Sequence, residues 1–121
     1  MFHIAAYEKY SDGQVIFQEG THGDWLYVVE DGMVEISRTV NNKKVIIAIF
    51  KEGEIFGEVA YIAKVERSAT ATARGDTTVG VIDREFFDKE FNKLSGNFKL
   101  ILITLALRLK KTTDVLVAMQ K

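Results

Sequence analysis

The chain has no cysteine, which removes disulfides, a zinc–thiolate cluster and a thiol nucleophile from consideration together. It has two histidines, His3 and His22, isolated from one another and too few for an imidazole metal cage, so no metal site is expected. Neither sign of charge dominates: 16 basic side chains face 17 acidic ones for a net charge of −1. A nucleic-acid-binding surface, which normally carries a marked basic excess, is therefore not expected. Long apolar runs are missing too. The N-terminus MFHIAAYEKY lacks the apolar stretch of a signal peptide. LILITLALRL is interrupted by Arg108 and followed by Lys110 and Lys111, too short to cross a bilayer. These absences predict a soluble, cytoplasmic domain. Its 121 residues are enough to build one core unaided, and 47% hydrophobic with 27% charged residues is an ordinary globular composition.

What is present is punctuated by glycine through the first two-thirds. Val15-Ile16-Phe17 runs into Glu19-Gly20, and Leu26-Tyr27-Val28-Val29 runs into Asp31-Gly32, a dipeptide favoured in tight hairpins. Val34 and Ile36 alternate with Glu35 and Ser37 as in a half-buried strand. Asn41-Asn42 reads as a tight connection, and Val45 to Phe50 as a buried strand. Ala69, Ala71 and Ala73 alternate with Thr70, Thr72 and Arg74; after an Arg74-Gly75-Asp76 turn, Val79 to Ile82 supplies a last strand. Short strands at this spacing predict an all-β sandwich or barrel over about residues 10–82. Trp25, Tyr27, Phe50 and Phe56 read as core or strand packing, and Tyr61 as either core or ligand-lining.

The last third changes period. Asp83 is a good helix N-cap, followed by Phe86, Phe87 and Phe91 at helical spacing, which predicts a helix over about 83–95. Ser95-Gly96-Asn97 breaks it, and a second helix is predicted over about 97–119. There Leu102, Leu105, Leu109, Thr112, Leu116 and Met119 step by 3, 4, 3, 4 and 3, the a/d seam of a helix that pairs with a second copy. Ile101, Ile103, Ala106 and Leu107 add apolar surface that can lean on the β body.

The chemistry concentrates in FGEVAYIAKVERSATATA, residues 56–73. A glycine entering a short helix lets the backbone approach a ligand closely, and the first helical N–H groups form an anion site. Arg67 adds a planar, always-ionised fork suited to phosphate oxygens, with the Ser68 hydroxyl beside it. Glu58 cannot bind phosphate but can accept a hydrogen bond from a sugar hydroxyl. One anion site plus one hydroxyl acceptor describes a sugar phosphate with a single compact charge. A triphosphate would need a Walker-type loop, and none is present. On these residues alone, Glu58 and Arg67, nine apart, read equally as a surface ion pair of small energetic value.

Phe56-Gly57-Glu58-Val59-Ala60-Tyr61-Ile62, four further residues, and Arg67-Ser68-Ala69-Thr70 resemble the phosphate-binding cassette of cyclic nucleotide-binding domains. Gly13 to Gly20, Gly23-Asp24, Leu26 to Val29 and Gly32-Met33-Val34 resemble the same family's opening strands. Within the family the likeness is greatest to the regulatory domain of the bacterial cyclic AMP receptor protein, and it runs from about Tyr10 to Leu116. The resemblance implies an antiparallel β jelly roll with a short cassette helix and two C-terminal helices, the last a long dimerisation helix. It implies a cyclic nucleotide, cyclic AMP or else cyclic GMP, as ligand. Glu58 would take the ribose 2′-hydroxyl, with the Gly57 backbone nearby. Arg67 and Ser68 would hold the cyclic phosphate with backbone N–H groups around Ala60 and Ala69. Ala106 to Thr113 resembles the segment of the long helix that faces the base. There Arg108 would support Glu58 and the phosphate, Thr112 would meet the base of its own subunit and Thr113 that of the partner. Position 66 is Glu where many members carry proline, as it is in the receptor protein.

The expectation is a non-enzymatic sensor, without a catalytic cofactor or a DNA-binding domain of its own, that converts nucleotide occupancy into helix position and acts as a homodimer. The alternatives are a ligand-free jelly-roll interaction module, the sensor fragment of a larger transcription regulator, and a metal-dependent cupin-like enzyme, which two isolated histidines disfavour.

Overall fold

The computed structural model describes residues 2–23 and 25–119; Asp24 of the Gly23-Asp24 motif lies outside the described residues. Six strands and three helices follow one another: β1 (Ile4–Tyr10), β2 (Val15–Phe17), β3 (Tyr27–Val40), β4 (Lys43–Phe50), β5 (Ile55–Phe56), α1 (Glu58–Ala63), β6 (Thr70–Ile82), α2 (Arg84–Asn92) and α3 (Gly96–Ala118). The strands are antiparallel in the order β1-β6-β3-β4, with β2 also pairing with β6 and β5 with β3. This is the β roll that the sequence pattern and the cassette resemblance imply, with a long C-terminal helix.

Two turns expected from the sequence are instead bends within long strands. Strand β3 continues through Asp31-Gly32, and β6 continues through Arg74-Gly75-Asp76. The pairing is Met33 with Arg74 on one side and Asp31 with Thr78 on the other, so three residues of β6, 75–77, oppose the single Gly32 of β3. Extra residues on one strand bend both and sharpen the twist, which curls the sheet into a roll. Gly32 sits at φ +90°, and a Cβ there would lie 2.5 Å from the Asp76 carbonyl oxygen. A hairpin at Gly32 would have sacrificed the β3–β6 ladder that runs across the bend. Asn41 and Asn42, by contrast, adopt φ of 54° and 62° and close a tight β3–β4 hairpin.

The core has two parts. Inside the roll, Val29, Val34, Phe56, Ala71 and Val79 are almost fully buried together with Tyr27. On the opposite face Leu26, Val28 and Ile82 pack against Tyr61 of α1 and Phe87 of α2. Tyr61 is 4% exposed, meets Phe87 edge-on with ring centroids 5.3 Å apart, and donates its hydroxyl to Asp88. It is core, joining α1 to α2. The helices begin at side-chain caps: Asp83 accepts from the Phe86 N–H and Ser95 from the Phe98 N–H, each at 3.2 Å.

Candidate functional site

The site is built where β5 hands over to α1. Gly57, at φ +86°, turns the chain from Phe56 into the helix, and Lys64, at φ +57°, ends it. The chain then returns beneath the 18–21 turn. Gly20 N–H donates to the Arg67 carbonyl and Arg67 N–H to the Thr21 carbonyl, both at 2.8 Å. These two bonds fix the backbone of Arg67 and send its side chain into the roll.

Arg67 is 3% exposed, an unusual place for a guanidinium. Its Nη1 donates to the Gly57 carbonyl at 3.0 Å and its Nη2 to the Trp25 carbonyl at 2.8 Å. Its Cζ lies 4.2 Å from the centre of the Phe17 ring. Phe17, Tyr27, Phe50 and Phe56 form one aromatic floor, with Tyr27 and Phe56 stacked at 5.1 Å. Burial pushes the Tyr27 phenol above its ordinary pKa of 10.0; Glu8 adds to this and Arg67 opposes it. The buried guanidinium is thus gripped by two main-chain carbonyls and lies over a ring face.

A cavity of about 180 Å³ opens beside it. Its cassette wall is formed by Gly57, Glu58, Val59, Ala60, Arg67, Ser68 and Ala69. Phe17, Ile36, Ile47, Ala48, Phe50 and Phe56 supply the apolar wall, and Leu109, Lys110 and Thr113 of α3 close it. A wider groove of about 550 Å³ shares Arg67, Ser68 and Lys110 with it and runs out past Arg38 and Asp114. The inner cavity alone is below the roughly 300 Å³ at which small-ligand pockets usually start; the shared wall gives it an extension. Glu58 Oε2 is buried and takes no hydrogen bond. An acceptor in that state costs on the order of 1–3 kcal/mol, which a hydroxyl donor would relieve.

All six cassette residues expected from the sequence thus line one cavity. Of the three expected on the long helix, Thr113 lines it, and its hydroxyl donates to the Leu109 carbonyl at 3.0 Å. Arg108 and Thr112 are on exposed faces and not in the cavity wall. The helix presents Lys110 there instead, three residues before Thr113. Trp25, expected in core or strand packing, is 46% exposed and lies before β3; its contribution is its carbonyl.

Sequence reasoning missed a polar cluster at the cavity's outer edge. Arg38 of β3 donates from Nε to the Ser68 carbonyl at 2.5 Å and pairs through Nη2 with Asp114 of α3. Lys110 Nζ lies 3.2 Å from the other Asp114 oxygen. Burial works to raise the Asp114 carboxyl, but hydrogen bonds and charge from Arg38 and Lys110 outweigh it and hold the group below its ordinary value. The Lys110/Asp114 pair at i, i+4 is a signal the sequence offered; Arg38 is 76 residues from Asp114 and offered none.

The family model for the cyclic nucleotide-binding domain matches residues 7–93. The chain belongs to the cyclic nucleotide-binding domain family. Among curated relatives, the cAMP-dependent protein kinase regulatory subunit of Schizosaccharomyces pombe is 32% identical over 88 residues, 73% of this chain and 20% of the relative. The cyclic AMP receptor protein of Thermus thermophilus is 38% identical over 77 residues, 63% of this chain and 36% of the relative. Among solved structures, a form of the EAL enzyme Bd1971 bound to cAMP and cyclic-di-GMP superposes with a TM-score of 0.85 at 29% identity. That match covers 96% of this chain and 31% of the other. The cyclic nucleotide-binding domain therefore spans only a fifth to about a third of these relatives.

Proposed function

We propose that the domain binds one cyclic nucleotide per chain, cyclic AMP in the first place, and reports occupancy through α3. The observation that carries this reading is the placement of a buried, unbonded carboxylate oxygen of Glu58 and the buried Arg67 guanidinium in the wall of one cavity. Glu58 accepts the ribose 2′-hydroxyl beside the Gly57 backbone. Arg67, Ser68 and the backbone at Ala60 and Ala69 hold the cyclic phosphate, and the base lies between the apolar strand wall and Thr113. A charge-assisted fork and a hydroxyl acceptor in the wall of one cavity suit a ribose cyclic phosphate. The name of the kinase regulatory subunit and that of the receptor protein both specify cyclic AMP.

A second reading, cyclic GMP, is favoured by Lys110. A lysine is donor-only, and guanine offers two adjacent acceptors where adenine offers one and a donor. A cGMP-dependent protein kinase of Toxoplasma gondii is 36% identical over 87 residues, 72% of this chain and 8% of the kinase.

The sensor has no catalytic role of its own and acts as a homodimer through Leu102, Leu105, Leu109, Thr112, Leu116 and Met119. Leu105, Leu109, Leu116 and Met119 are each about half exposed or more in the single chain. Arg108 and Thr112 would meet nucleotide only across such a dimer. Ligand shifts the position of α3 by its differential affinity for the two placements.

Calorimetric titration with cyclic AMP and cyclic GMP tests the reading. One site per chain is expected, with Arg67→Ala costing about 2–5 kcal/mol of binding. If neither nucleotide at millimolar concentration raises the melting temperature, the domain is a ligand-free module instead.

A further inference from the structure

We propose that Arg38 is a positioning residue that fastens α3 over the nucleotide cavity by gripping the cassette and the helix at once. The inference rests on the cyclic nucleotide reading of the cavity. Arg38 lies one residue beyond the last β3–β6 pair, Ser37 with Thr70, and is held on its other edge by pairing with Val45 of β4. Its side chain is 14% exposed. One arm of the fork reaches the carbonyl of Ser68, the residue between Arg67 and Ala69 in the cavity wall. The other arm pairs with Asp114, one residue after Thr113 on the helix that closes the cavity. Lys110, itself in that wall, binds the second oxygen of Asp114 and turns the pair into a triad.

The geometry has a direction. A nucleotide in this cavity has α3 as one wall, so whatever holds α3 in place opposes ligand escape. The same fork orients the Ser68 peptide, and with it the neighbouring Ala69 N–H. A planar guanidinium serves both partners simultaneously; a lysine, a point charge on a flexible stem, holds one at a time. Arg38, which is not in the wall of the inner cavity, therefore links the phosphate side of the site to the helix. Asp114 is 42% exposed, so its share is discounted for solvent.

Stopped-flow binding of cyclic AMP and cyclic GMP to Asp114→Ala tests this. The dissociation rate is expected to rise about 3- to 10-fold with the association rate held within about 2-fold. Asp114→Glu should restore the wild-type rate to within about 2-fold. In an Arg38→Ala background, Asp114→Ala should add less than about 2-fold, because the partner is already gone. Hydrogen exchange in the ligand-free protein gives a second readout: amides at 109–117 should exchange faster in Asp114→Ala while the β3 and β6 amides are unchanged. If the wild-type chain binds neither nucleotide, the cavity reading fails, and the exchange result still decides whether Arg38 and Asp114 secure the helix. Unchanged exchange at 109–117, or fully additive effects of the two substitutions, would overturn the proposal.

Discussion

Arg67 is held by main chain on two sides, and Gly23 closes the third. A Cβ added at Gly23 would lie 2.8 Å from Nη2, 2.9 Å from Nε and 3.2 Å from Cζ of Arg67. Ordinary contact begins at 3.4 Å, so the guanidinium must retreat by about 0.6 Å. It has little room, with the Phe17 ring beneath it and Nη1 anchored on the Gly57 carbonyl. The bond most exposed to loss is the one to the Trp25 carbonyl. A charge-assisted hydrogen bond contributes about 1.5–3 kcal/mol, so Gly23→Ala is expected to cost about 1–3 kcal/mol of stability. For a domain of this size that lowers the melting temperature by several degrees. A displaced fork should also weaken cyclic nucleotide binding by about 10-fold or more. Gly57→Ala and Gly53→Ala separate contact from backbone strain. Both have φ near +85°, but a Cβ at Gly57 meets Arg67 Nη1 at 2.8 Å while one at Gly53 meets nothing within 4 Å. Gly53→Ala should lose stability by about 1–2 kcal/mol with affinity intact, and Gly57→Ala should lose both. The readouts are thermal unfolding and nucleotide titration. If Gly23→Ala melts and binds like the wild type, Arg67 is not held as described and the argument fails.

Charges placed at Leu105 and Leu116, each 55% exposed, should leave a folded monomer in sedimentation if α3 is the dimer seam; a persistent dimer would put the interface elsewhere. Leu109 is left alone in that test because it also lines the cavity. At high pH, Tyr10 and Tyr27 should destabilise the fold. Burial raises both phenols above 10.0, and Glu8 adds to the rise through a hydrogen bond from Tyr10 and through its charge on both. The stability they contribute is complete below pH 10 and is lost as pH rises through the folded-state values. A spectrophotometric titration should show these phenols ionising together with unfolding; their ionisation near pH 10 in a folded protein would contradict their burial.

The roll and its cassette were legible because they are written in side chains. Strand alternation, the Gly57-Glu58 pair and Arg67-Ser68-Ala69 carry information at each position, and their spacing matches one family. The bends at Gly32 and Gly75 were misread for a physical reason. A glycine beside an aspartate at positive φ satisfies a hairpin and a bulge equally well. Only the partner strand, some 40 residues away, decides which one forms. Trp25 illustrates a second limit. Its ring, the obvious feature in the sequence, is half exposed, while its carbonyl, which any residue would supply, anchors Arg67.

Helix α3 shows why the remaining site residues were hard to place. The seam steps of 3 and 4 identify one stripe, but a helix with apolar residues on several sides leaves the facing stripe to be chosen by packing. Ala106 and Val117, the two buried residues of α3, lie with Lys110 and Thr113 at spacings of 4, 3 and 4. That stripe faces the roll and rotates Arg108 and Thr112 away from the cavity. The seam pattern alone does not distinguish residues that face a cavity within a chain from residues that would meet it across a dimer. The rotation separates them: Thr113 lines the chain's own cavity and Thr112 does not, so on the proposed reading Thr112 would meet nucleotide from a second copy. Thr112→Ala should therefore change affinity in the dimer and have no effect in the monomer made by charging Leu105 and Leu116, whereas Thr113→Ala should act in both. Equal effects of Thr112→Ala in the two backgrounds would show that α3 turns on binding and that the stripe facing the roll is not the one facing ligand.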